Sequence, residues 1–300
     1  MGQGQEHKSR AEAQVEIEER GEIFFFYRPK VRKEEAHNVD DVQRLYIIMQ
    51  PESGERAVEE GASAKKGSQV RIFFVARSGF KNIMIDMQEL VNIEQQSLFR
   101  LIVMGRKRLP DPSEKSRPYW GFVEIVSTDA DDVKTALRGS GGEHESSRHR
   151  CGARAVGEGM YRILRHKEKR SHTHLVYKLE FPSEGEKCEP QESLNIEREG
   201  SFIIQIKNPE KADEWGLPKK RKAVFPAHLQ GKLGHVKFAP ADPPDFLNYE
   251  GCEFLLISAS DHIEDELGLQ LLTEPDASSS DLLNTFGAGS TTSFLKGTWT

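Results

Sequence analysis

The chain has 300 residues, with 42 lysines and arginines against 48 aspartates and glutamates and a net charge of −6. That length suits one large or two ordinary domains. Hydrophobic residues make up 36% and mean hydropathy is −0.62, which supports a core if some stretches stay outside it. Apolar runs such as residues 23–27 fall far short of a membrane-spanning helix. Residues 1–8 lack the apolar stretch of a secretory leader, and Glu6 stands where a myristoylation motif starting at Gly2 wants Ser or Thr.

In chain order, residues 1–20 are charged and read as a flexible N-terminus. Residues 22–28, Glu-Ile-Phe-Phe-Phe-Tyr-Arg, read as a strand. The unbroken apolar run predicts burial on both of its faces. Asn38 caps a short helical turn before a second buried strand at 45–49. Residues 51–69 are rich in Glu, Gly, Ser, Ala and Lys and read as a loop. Apolar sequence at 70–96, led by Val70-Arg-Ile-Phe-Phe-Val-Ala76, reads either as a further strand or as an insertion particular to this chain. Strands follow at 98–104 and 119–126. Thr128 and Asp131 have capping-box spacing, with Val133, Ala136 and Leu137 on one helical face and Gly139 at the end. Residues 139–152 form a polar loop, and 160–166 with 172–181 form a hairpin. A loop at 183–193 precedes strands at 201–207 and 252–257, with proline-opened short helices at 226–233 and 243–249 between them. Asp261 and Glu264 mark a last capping box closed by Gly268, and 273–300 reads as a mobile tail.

Strands outnumber helices and do not alternate with them as βαβ units, which argues against a doubly wound nucleotide-binding sheet. The expected fold is a single β-rich α+β domain over residues 21–272. It is a mostly antiparallel sheet or barrel-like sandwich with short peripheral helices.

Cys151, Cys188 and Cys252 are far apart with no CxxC pair, so neither a disulfide framework nor a cysteine zinc site is encoded. A reducing compartment follows. Arg148 and Arg150 beside Cys151 favour a reactive thiol, but no acid–base partner stands near it in sequence and it reads as a loop cysteine. From Ala241 to Thr300, Lys296 is the sole lysine or arginine against eleven acidic residues, while residues 148–170 hold eight basic and two acidic ones. Such asymmetry suits an acidic end packing on a basic face, or a basic face meeting an anion. The string Val156-Gly-Glu-Gly-Met-Tyr-Arg162 starts like a dinucleotide loop, but Arg162 stands at the third glycine position and the string lies within a strand. There is no Walker A, HExxH or GxSxG motif.

Two constellations carry chemistry. Trp120-Gly-Phe-Val-Glu-Ile125 followed by a helix resembles part of an RNA-recognition motif, with Arg117, Trp120 and Phe122 as carriers of base stacking and phosphate contact. The spacing opposes it, because only residues 106–118 separate this strand from its would-be partner at 101–105, and packed-core roles are the ordinary use of such rings. The second is histidine-based. If 167–171 is a five-residue hairpin loop, His166 pairs with His172 and Leu164 with His174, which puts three imidazoles on one face. Three histidines plus water suit zinc or copper. Against this, that face is the polar one, expected to be solvated, and a one-residue slip would separate the rings. A third feature is the basic tetrad Lys219, Lys220, Arg221 and Lys222, which resembles a nuclear import signal and otherwise reads as a solvated loop.

Longer strings carry a family resemblance: Gly21-Glu-Ile-Phe-Phe-Phe-Tyr-Arg-Pro29, Arg117-Pro-Tyr-Trp-Gly-Phe-Val123, Arg154-Ala-Val-Gly-Glu-Gly159 and Leu194-Asn-Ile-Glu-Arg-Glu199. Together they resemble a soluble family of unknown function with plant and bacterial members, some plant relatives bearing a BTB/POZ label. The resemblance brings no activity, cofactor or site residue. The strand-rich pattern does not fit the helix-rich BTB/POZ module.

The functional expectation is a non-enzymatic, cytoplasmic protein, nuclear if the tetrad acts, that binds another protein or a small anionic ligand. The alternatives are metal-dependent catalysis at His166, His172 and His174, and RNA binding through Trp120 and Phe122. Neither a nucleic acid nor a membrane is the expected partner, and no cofactor is specified.

Overall fold

The computed structural model describes residues 5–9, 15–31, 33, 35–52, 97–138, 151–166, 171–182, 189–211, 215–273, 285 and 299. The loop beyond residue 52, the apolar segment 70–96, residues 139–150, 183–188 and nearly all of the expected tail lie outside the described residues, as does Cys188. The strands are β1 (Gln5–Lys8), β2 (Val15–Pro29), β3 (Val42–Pro51), β4 (Phe99–Met104), β5 (Tyr119–Ser127), β6 (Arg154–His166) and β7 (His172–Phe181). They continue with β8 (Glu199–Lys207), β9 (Phe238–Pro240), β10 (Glu253–Ser260) and β11 (Leu269–Leu272). The helices are α1 (Ala130–Leu137), α2 (Glu189–Leu194), α3 (Ala227–Leu233) and α4 (Ile263–Leu267).

Eight strands close an antiparallel barrel in the order β10–β5–β4–β3–β2–β6–β7–β8, and β8 pairs back onto β10. β9 adds to β8 beyond the stretch that β7 occupies. The period of two in a strand sends alternate side chains to opposite faces. On β2, Ile23, Phe25 and Tyr27 therefore enter the barrel interior, joined by Ile47, Ile102, Leu175, Ile204 and Phe254. Phe24 and Phe26 face outward and are covered by Val133 and Leu137 of α1. The aromatic run is buried on both faces, as its composition predicts. The 3-10 turn Pro244–Asn248 adds Phe246 and Leu247 to the interior.

The caps differ in detail from expectation. Asp129, not Thr128, starts α1 by accepting from the Asp131 amide at 2.8 Å. His262 occupies the cap of α4 without a side-chain bond, while Gly268 at φ 63° closes that helix as expected. Asn38 does cap its turn, accepting from the Asp40 and Asp41 amides.

Residues 1–20 are not a flexible terminus throughout. Residues 15–20 are the first part of β2, paired with β6 as far as His166, and β1 pairs with β11 in a separate two-stranded ribbon. Charge misleads here because several of the charges have partners within the fold: Glu16 meets Arg165, Glu19 meets Arg100, and Glu6 meets both Arg20 and Arg162. The expected loop at 183–193 likewise ends in α2, whose Gln191 side chain donates to the Val156 carbonyl at 2.9 Å. β6 begins earlier than expected, at Arg154, and Gly159 lets it run close to β7: a Cβ there would overlap the Lys178 carbonyl.

The ribbon is held partly by the Glu6 carboxylate. Partial burial works to raise its pKa, but hydrogen bonds and charge from Arg20 and Arg162 outweigh this and hold it below the usual carboxylate value. A carboxylate with a depressed native pKa stabilises above its unfolded value and loses that contribution as pH falls through the native one. Ribbon amides in β1 and β11 are therefore expected to lose hydrogen-exchange protection, relative to β3, as pH falls below 4.5. In Glu6→Gln the ribbon should already be loose at neutral pH and show no such step.

Candidate metal centre

The β6–β7 hairpin has the register that the loop length predicts: His166 pairs with His172 and Leu164 with His174. Residues 167–170 of that loop lie outside the described residues. All three imidazoles project from the outer wall of the barrel. Ring centroids are 5.0 Å apart for His166–His172, 4.9 Å for His172–His174 and 5.8 Å for His166–His174. One nitrogen from each ring lies within 4.8 Å of the other two.

This face is not solvated, contrary to the reading of its polar sequence. His174 is only 1% exposed and Val176 is fully buried. The reason is long-range: α4 and β11 fold back over this part of the wall. Ile263, Leu267, Leu269 and Leu271 pack on Val15, Met160, Leu164 and Val176. His166 and His172 sit at the margin of this cover and stay half-exposed.

The orientation of His174 is fixed from behind. Its Nδ1 lies 3.0 Å from Ser201 Oγ on β8 and 3.7 Å from Glu266 Oε1 on α4. The Glu266 carboxylate can only accept, and the Ser201 hydroxyl can accept as well, so this pair of oxygens favours the ring proton on Nδ1. That leaves Nε2 with a bare lone pair, and Nε2 is buried with no hydrogen-bond partner among the described residues. An imidazole held by a carboxylate-backed hydrogen bond on one nitrogen, with the other free, is how proteins prepare a metal ligand. Burial, reinforced by the charges of His172 and His166, lowers the His174 pKa to about 3. The ring is thus neutral at physiological pH, the form that coordinates. Burial raises the Glu266 pKa, opposed by the nearby Ser201 hydroxyl and by His172.

The same trio is not a nucleophilic triad. Ser201 and Glu266 both face Nδ1, whereas a triad needs the hydroxyl and the carboxylate on opposite ring nitrogens, and Ser201 is fully buried. For a tetrahedral ion about 2 Å from each nitrogen, the nitrogens must approach to about 3.4 Å. An ion there would need the two half-exposed side chains, His166 and His172, to turn toward the buried His174. With nitrogen donors alone the set suits zinc, copper or nickel in preference to calcium or magnesium.

The other sequence candidates are placed differently. Phe122 is buried beneath Arg221, whose guanidinium lies 5.3 Å from its ring centroid. Trp120 packs on Phe122 and donates its Nε1 hydrogen to Glu253 at 2.9 Å. These rings are engaged by the chain itself, and Arg117 stays exposed. The tetrad forms a 3-10 turn, Lys219–Arg221, closed by the Lys222 amide on the Lys219 carbonyl, and Arg221 pairs with Glu124 at 2.6 Å. That conformation differs from the extended strand an import receptor reads. In the basic stretch, Arg162 is taken by Glu6, and Arg165 by Glu16, Glu18 and Asp242. Half-buried Cys151 donates to the Lys33 carbonyl, and Cys252 is buried, with burial raising its thiol pKa.

Comparison with protein-family models, with curated proteins and with solved structures returns no match to this chain. No helix among the described residues is long and apolar enough to cross a membrane. Ser201 and Glu266 carry no sequence signal as site residues: 27 and 92 positions separate them from His174, and only barrel closure and the return of α4 bring them to it.

Proposed function

We propose that the protein binds one divalent transition-metal ion, zinc in the first instance, through His166, His172 and His174 on the outer wall of its barrel. The observation that carries this reading is the buried Nε2 of His174, without a hydrogen-bond partner among the described residues, on a ring whose Nδ1 faces Ser201 and Glu266, in a cluster whose three ligand nitrogens lie within 4.8 Å of one another. A buried polar atom without a partner is costly, by about 1–3 kcal/mol, and a metal ion removes that cost. Three protein ligands leave a fourth position for water or a small anion, and the half-exposed His166 and His172 put that position toward solvent. A small anionic ligand at that position would be recognised by the ion and not by the basic stretch. Arg162 and Arg165 support a structural use of that stretch, since the chain's own carboxylates neutralise them.

The test is metal retention. Purified protein incubated with zinc, copper or nickel at neutral pH and then desalted is expected to keep one equivalent, and to lose it when His172 and His174 are both replaced by alanine. Failure of the unaltered protein to retain any of the three ions would overturn the reading.

A further inference from the structure

We propose that metal occupancy and docking of the flap formed by β1, α4 and β11 are a single linked equilibrium, joined by Glu266 as the positioning residue; this rests on the metal reading above. The flap is a separable element: β1 and β11 form a two-stranded sheet distinct from the barrel sheet. Side chains fasten it to the wall at three places. Ile263, Leu267, Leu269 and Leu271 cover Val15, Met160, Leu164 and Val176. Glu6 reaches Arg20 and Arg162. Glu266 reaches back to within 3.7 Å of His174 Nδ1, which Ser201 Oγ faces at 3.0 Å.

The third fastening joins the two events. With the flap docked, the acceptor-only carboxylate of Glu266 stands beside Nδ1 and favours the ring proton there, so the coordinating lone pair stays on Nε2. With the flap undocked, Ser201 is free to donate to Nδ1, which moves the ring proton to Nε2 and blocks coordination. The carboxylate also supplies negative charge behind a ligand of a dication. Outer partners of this kind are worth about 10–100-fold in metal affinity. Coupling between two equilibria is reciprocal, so the ion must favour the docked flap by the factor that docking favours the ion.

The experiment measures zinc binding by calorimetry and hydrogen exchange at residues 5–8 and 263–272, with zinc as the sole added ligand. In the unaltered protein zinc should slow exchange in the flap by about 10-fold or more, and leave β3 and β4 unchanged. Glu266→Gln should keep a stoichiometry of one and the barrel's zinc-free melting temperature. Its zinc affinity should fall by about 10–100-fold, and zinc should no longer slow flap exchange. Leu271→Ala loosens the flap without touching the site; it should weaken zinc binding by the factor that zinc restores to its flap protection. Unchanged zinc affinity in both variants, with flap exchange indifferent to zinc, would overturn the coupling and leave the metal site standing. No zinc binding by the unaltered protein would remove both.

Discussion

Replacing Glu19 with leucine should lower the unfolding free energy by about 3–5 kcal/mol, seen as a fall of roughly 10 °C in melting temperature for a domain of this size. Glu19 lies inside the barrel. Its Oε1 accepts from Arg100 Nη1 at 2.6 Å and from the Tyr161 hydroxyl at 2.8 Å, and its Oε2 accepts from Arg100 Nη2 at 2.8 Å. Arg100 Nε donates to Asn248 Oδ1 at 2.8 Å, and the arginine is 1% exposed. Removing the carboxylate alone strands a guanidinium in an apolar interior. Removing both charges, as Glu19→Leu with Arg100→Met, takes away the stranded group along with its partner. The double variant is therefore expected to be more stable than Glu19→Leu alone, and denaturant titration of the cycle measures the difference. A double variant as unstable as the single one would show that the interior depends on the pair's own attraction rather than on avoiding an uncompensated charge.

The second large effect is expected on the outer wall. Glu253 Oε1 accepts from Lys207 Nζ at 3.2 Å, from Trp120 Nε1 at 2.9 Å and from the Leu217 amide at 2.9 Å. Replacing Glu253 with leucine takes their acceptor from Trp120 Nε1 and the Leu217 amide and removes one of the partners of Lys207, at an expected cost of about 3 kcal/mol. The loss is smaller than at Glu19 because Lys207 keeps the Trp215 carbonyl at 2.8 Å and the Trp215 ring at 4.1 Å. The damage should be local. Residues 215–217 are drawn in by the carboxylate, and Gly216, at φ 106°, sits where a Cβ would overlap Glu253 Oε1. Tryptophan emission is expected to shift to the red as Trp215 and Trp120 gain water, before the barrel melts. An unchanged emission spectrum in the folded variant would show that the carboxylate does not hold this loop.

What the sequence reveals follows contact distance along the chain. The β6–β7 register was legible because five loop residues leave little choice of pairing, and with it came the neighbourhood of His166, His172 and His174. The two-faced burial of 23–27 was legible because an unbroken apolar run has no solvent face to offer. The cover over His174 was not, because α4 and β11 are supplied from some ninety residues away and their apolar positions carry no label for the surface they will meet. Residues 15–20 misled for the opposite reason. Their charges look solvated until Arg100, Arg162 and Arg165 are brought beside them by other strands. A composition rule cannot distinguish a charge meant for water from one meant for a partner.

The strand that shuts the ring, β10, is inserted between β5 and β8. A nascent chain that has left the ribosome through Lys207 thus has seven of the eight staves and two raw borders. Each border presents a row of unsatisfied amides and carbonyls able to recruit a neighbouring polypeptide. Synthesis must run through Ser260 before β10 can cover both borders. During that interval the open borders are able to pair with another chain, which closure of the ring prevents.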